Sequence, residues 1–181
     1  MSLIELILLA IALGIDCLIV SFCQGLIHTK NRVKNSILLA ATMGLFQSGM
    51  PAISYILTGT LIGYLQKYSG LIVFSIFMFL GLKFILEAFN NKEECTICKI
   101  DFKCLIMMGI ATSIDALGAG ITLKLTNSPL IFSVAIIGFA SFIMSQTGFW
   151  GGNTFFKRIP QKYLEISGGL ILIALAFKAL L

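Results

Sequence analysis

Two aspartates sit alone inside hydrophobic runs: Asp16 in Ala12-Leu13-Gly14-Ile15-Asp16-Cys17 and Asp115 in Ala111-Thr112-Ser113-Ile114-Asp115-Ala116, 99 positions apart. A carboxylate in the middle of a lipid-spanning helix costs roughly 3 kcal/mol or more unless it is protonated, paired or bound to a cation. Its occurrence twice, in matching surroundings, points to reversible binding of cations or protons. The competing structural reading is that each aspartate only hydrogen-bonds a neighbouring helix.

At helical spacing, Asp16 shares its face with Ala12, Leu13, Val20 and Cys23, and Asp115 with Ala111, Thr112, Gly118, Ala119 and Thr122. Small residues at these places let two helices approach and bring the carboxylates together. Asp16 and Asp115, joined by the Gln47 amide, the Thr112 hydroxyl and carbonyls near Pro51, form a hard, oxygen-rich candidate metal site. Such a site suits Mn²⁺, Mg²⁺ or Ca²⁺ better than a soft ion. Gln47 could equally act as a polar tie between helices. Met43 and Met50 flank it at i−4 and i+3, which leaves thioether ligation open.

The elements that must position these groups follow from composition. Of 181 residues, 58% are hydrophobic and 12% charged, with a mean hydropathy of +1.00, values that no soluble surface accommodates. Apolar runs of about 20 residues, each able to cross a ~30 Å hydrocarbon core, recur six times. The expected class is an all-α integral membrane protein with helices near residues 2–26, 36–65, 69–89, 104–125, 129–151 and 162–181. Glu5 near the start of the first run, and the lack of a preceding Lys or Arg, argue that it is retained and not cleaved. Pro51 should kink the second helix. Lys83 and Glu87, at i and i+4 in the third, read as a local ion pair reaching for the interface.

The net charge of +5 comes from basic residues in the connections, with no extended basic face, so nucleic acid is not an expected partner. Lys30, Arg32, Lys34, Lys92, Lys99, Lys103, Lys157, Arg158 and Lys162 fall on one side, against Lys67, Lys124 and Lys178 on the other. The positive-inside rule then puts both termini outside a bacterial plasma membrane crossed several times. The lipid bilayer and a divalent metal ion are the expected partners, and no resident cofactor is implied.

The 99-residue shift that superposes the aspartates also lays Gln47-Ser48-Gly49 on Gln146-Thr147-Gly148. Leu80-Gly81-Leu82-Lys83 matches Leu175-Ala176-Phe177-Lys178 at an offset of 95, about one helical turn less. Residues 1–89 and 104–181 therefore read as two three-helix repeats joined by a cytoplasmic loop, 90–103. Three crossings per repeat invert the second relative to the first, an architecture whose substrate site lies at the midplane.

Glycines at Gly59-x3-Gly63 and Gly148-x3-Gly152 read as helix-packing faces. Cys17 and Cys23 read as small apolar packing residues. In the loop, Cys95 and Cys98 form a single CxxC on the reducing side, where a structural disulfide is not expected. With Glu93, Glu94, Cys104 and His28 on the same face, a soft-metal docking site is the alternative to a solvated loop with incidental thiols.

Taken together, Ala-Leu-Gly-Ile-Asp at 12–16, Gly-Leu-Phe-Gln at 44–47 with Met50-Pro51, Ala-Thr-Ser-Ile-Asp-Ala-Leu at 111–117 and Gly-Gly-Leu-Ile-Leu-Ile at 168–173 resemble the MntP-type manganese efflux pumps, related to the LysE exporter superfamily. The resemblance covers essentially the whole chain. It implies export of Mn²⁺ from the bacterial cytoplasm, with Asp16 and Asp115 as the motif acids. Cys17 stands where the family usually has alanine, and Gly118-Ala119 where it has Ala-Val.

The resulting expectation is a secondary transporter exchanging manganese for protons. Alternatives are export of a softer ion such as Cd²⁺ or Zn²⁺ or of a basic amino acid, and a non-transporting membrane sensor or assembly factor acting through the loop thiols. An enzyme is not expected, because no nucleophile and base pair is evident and the one histidine, His28, lies at a helix end. No Walker-type glycine loop suggests ATP hydrolysis.

Overall fold

A computed structural model of the chain describes residues 1–27, 31–89, 102–151 and 161–179. These residues form six helices: α1 (Leu3–Ile27), α2 (Arg32–Leu65), α3 (Ser69–Phe89), α4 (Phe102–Leu125), α5 (Leu130–Gly151) and α6 (Gln161–Lys178), with a 3-10 turn at Gln66–Tyr68 between α2 and α3. Among the described residues there is no strand. Five helices have the length and composition to cross a membrane, which makes this a multi-pass membrane protein. Among the described residues α6 has 18 residues and carries Lys162, Glu165 and Lys178, which leaves it outside those five.

Local signals account for several helix ends. Ser2 and Glu5 form a capping box at the start of α1, the Glu5 amide donating to Ser2 Oγ at 3.3 Å and the Ser2 amide to Glu5 Oε2 at 2.9 Å. At the end of α4, Asn127 adopts φ 52°, Ser128 N donates to Leu123 O and Asn127 N to Lys124 O. That left-handed residue closes a Schellman turn, and Pro129 follows it. Helix α2 begins at Arg32, earlier than the apolar pattern suggests, because Arg32 finds support across the bundle: its guanidinium lies 5.2 Å from the Trp150 ring. The same helix continues through Pro51 as one element.

Packing interleaves the halves of the chain. The most extensive contacts pair α1 with α5, α2 with α4, α3 with α6 and α2 with α5. Close approach is set by glycines. A Cβ on Gly148 would collide with the Leu18 carbonyl oxygen of α1, and Gly81 and Gly169 leave room for each other's carbonyls where α3 crosses α6. Between α1 and α5, the hydroxyls of Ser21 and Ser145 meet at 2.6 Å in a buried contact. Gly59-x3-Gly63 is not a packing face of this kind. Gly59 meets only the Lys124 side chain, at 3.3 Å, and a Cβ on Gly63 would find nothing within 4 Å. Gly152, the second glycine of the other motif, lies outside the described residues.

One buried cluster runs through Leu9, Leu13, Phe77, Phe84, Leu123 and Leu172, drawing on α1, α3, α4 and α6. A second gathers Cys17, Leu39, Met43, Met108 and Phe149. Large side chains such as Ile4, Leu45, Phe79, Ile131 and Phe139 point outward, as a lipid-facing surface requires.

Candidate ion site

Asp16 is the fourteenth of 25 residues in α1, and Asp115 the fourteenth of 24 in α4. Both therefore lie at mid-helix. Asp115 is buried, Asp16 partly so, and the charged groups close enough to act on Asp16 are Asp115, Lys83, Glu87 and Glu165.

Gln47 is fully buried in α2 and reaches both aspartate helices. Its Nε2 donates to the Thr112 carbonyl oxygen at 2.9 Å and lies 3.4 Å from that of Leu13. Each of those carbonyls belongs to the residue three positions before its aspartate, so one amide nitrogen ties together the helical turns that carry Asp16 and Asp115. The amide oxygen, Oε1, has no hydrogen-bond partner among the described residues, an open acceptor inside the bundle. The Cys17 sulfur also lies 3.6 Å from Nε2.

The Thr112 hydroxyl turns back on its own helix, donating to Met108 O at 2.9 Å, and meets Met43 Sδ at 3.3 Å. Thus Thr112 approaches Gln47 through its backbone, while its side chain is directed at the preceding turn.

Lys83 departs from its sequence reading. The local pair with Glu87 is present at 3.8 Å, but Nζ sits 2.9 and 2.8 Å from the two carboxylate oxygens of Asp115. The stronger contact therefore crosses from α3 to α4. The reason is physical: a buried Asp115 demands a counter-charge, and among the described residues Lys83 supplies it. An i,i+4 pattern could not reveal a partner 32 residues away.

Glu165 was not singled out by any motif, yet it is buried in α6 and acts on both Asp16 and Glu87. The only sequence signal was an isolated acid near the start of an apolar run. Cys17 is the free thiol among the described residues. Cys23, expected as a packing residue, is disulfide-bonded, as is Cys104. Cys95, Cys98 and His28 lie outside the described residues, and so does the proposed loop site. Among the described residues no three His, Cys, Asp or Glu side chains gather as a ready-made metal cage.

Among the described residues the arrangement brings the turns of two mid-helix acids to one buried amide, with the Asp115 carboxylate held by Lys83. Residues 30–180 match a family model described as "Putative manganese efflux pump". A Parabacteroides distasonis protein named "Putative manganese efflux pump MntP" is 39% identical, the match covering 98% of this chain and 95% of that one. Proteins with the same name from Campylobacter hominis and Methanobrevibacter smithii are each 36% identical, covering 98% and 99% of this chain and 96% and 97% of theirs. No solved structure matches.

Proposed function

The chain belongs to the Mntp family of manganese efflux pumps, and from that premise we propose that it exports Mn²⁺ from the cytoplasm by exchange for protons, using Asp16 and Asp115 as the cation-binding acids. The observation that carries this reading is the Gln47 bridge to Leu13 and Thr112, which holds the turns of both aspartates at one level. The unpaired Gln47 Oε1 is a further neutral oxygen donor for a hard cation.

The two halves, 1–89 and 104–181, are inverted repeats that exchange conformations to give alternating access. Packing supports this symmetry, since the first helix of each half lies against the second helix of the other. Both termini face outward. Mn²⁺ binds the ionised acids from the cytoplasm, and protons arriving from outside displace it there. Carboxylates suit this exchange because the same oxygens accept either a hard cation or a proton.

The test is cellular manganese content and growth under manganese challenge in a strain lacking its own exporter. Wild type should lower the metal. Asp16→Asn and Asp115→Asn should both fail while reaching the membrane at normal level. A strain in which both variants export normally overturns the paired-acid mechanism.

The thiol of Cys17, adjacent to Asp16 and beside Gln47, favours a second reading in which a softer divalent ion is the cargo. Protection against cadmium or zinc with no effect on manganese would establish that reading instead.

A further inference from the structure

We infer that Lys83 is a tethered counter-cation that occupies the ionised Asp115 in the metal-free carrier and shifts to Glu87 when the transported cation binds. The inference rests on the assignment of Asp115 to the cation site and adds a residue that sets how tightly and how reversibly that site is filled.

Three observations carry it. First, Nζ sits almost symmetrically on the carboxylate, 2.9 Å from Oδ1 and 2.8 Å from Oδ2, the place a bound cation would take. Second, the Asp115 side chain is only 7% exposed whereas that of Lys83 is 37% exposed, so the acid is fixed inside and the ammonium has room to leave. Third, a second carboxylate is already within 3.8 Å, at Glu87, one turn further along α3. A lysine suits such a shuttle because its charge is a point at the end of a flexible stem, with no fixed fork of donors to satisfy. Asp16 also acts electrostatically on this ammonium, and Glu165 on Glu87, so the ammonium stays within a field of acids in either position.

The consequence is a switch in a contact between helices. A divalent cation and an ammonium repel each other and compete for the two oxygens of one buried carboxylate. Loading therefore breaks the α3–α4 ion pair and leaves Lys83 paired within α3. Once the displacing proton has left Asp115 the pair is restored, so an ionised Asp115 never faces the bilayer interior without a counter-charge. Lys83 thereby weakens cation affinity and speeds release.

The test uses the full chain in lipid nanodiscs and proteoliposomes, with Mn²⁺ as the probe and gel filtration to verify the fold. At mildly alkaline pH, so that protons do not take the vacated place, Lys83→Gln should bind Mn²⁺ about tenfold more tightly in calorimetry. Its transport should show a lower KM and a lower maximal rate. Glu87→Gln, which removes the landing position, should move affinity the opposite way, weakening binding severalfold. Unchanged or weaker binding in a well-folded Lys83→Gln, with Asp115→Asn still abolishing binding, would overturn the shuttle and leave Lys83 a structural partner. If Lys83→Gln does not fold, Glu87→Gln decides, and wild-type affinity there overturns the proposal. If Asp115→Asn binds Mn²⁺ as wild type does, the paired-acid reading itself has failed, and the shuttle falls with it.

Discussion

The Gln47 amide nitrogen lies 2.9 Å from the carbonyl oxygen of Thr112, so a side chain of α2 is fastened to the backbone of α4 one turn before Asp115. Replacing Gln47 by leucine keeps the volume and removes the donor. Interhelical hydrogen bonds in membranes contribute roughly 0.6 kcal/mol each, up to about 1.7. Gln47→Leu should therefore lower the melting temperature only modestly, since two such contacts are lost. Transport should suffer far more, because the aspartate turns lose their common tie and the open Oε1 acceptor. Parallel thermal melting and manganese efflux measurements check the split; equal losses in both would make Gln47 simple glue.

Proton exchange has a definite sign in inside-out vesicles. The lumen of such a vesicle corresponds to the outside of the cell, so an acidic lumen should accelerate Mn²⁺ uptake into it. Collapsing the gradient with a protonophore should slow that uptake. Uptake indifferent to the imposed gradient would remove protons from the mechanism and leave the metal assignment standing.

Helix contact between α1 and α5 depends on Gly148. A methyl group there meets the Leu18 carbonyl oxygen, which belongs to a rigid backbone, whereas a Cβ on Gly49 finds nothing within 4 Å. Gly148→Ala should destabilise by about 1–3 kcal/mol through overpacking. Gly49→Ala should be neutral or stabilise by up to about 1 kcal/mol from helix propensity. Yields and melting temperatures in detergent distinguish the two, and an equally tolerant Gly148 would contradict the observed approach.

Orientation is testable with C-terminal reporters. Alkaline phosphatase fused after Leu181 should be active and a green fluorescent protein fusion dark, because the C-terminus is expected outside. The reverse pattern would invert the direction in which the asymmetric basic connections face.

Sequence alone determined the class and most helix boundaries, because both depend chiefly on a local quantity, the length of apolar runs. It also singled out Asp16 and Asp115, since an acid inside an apolar run is conspicuous without any structure. Even the start of α2 was missed only by a turn, where Arg32 gains a ring contact from a distant helix. What the tertiary structure decided was partnership. Lys83 chose Asp115 over its neighbour Glu87, Gln47 chose two backbone carbonyls, and Glu165 entered the acidic group from α6. Such choices are made by burial and by helices brought together from remote parts of the chain. A buried charge takes whatever counter-charge packing supplies, and that supply is a property of the assembled bundle, written in no single stretch of sequence.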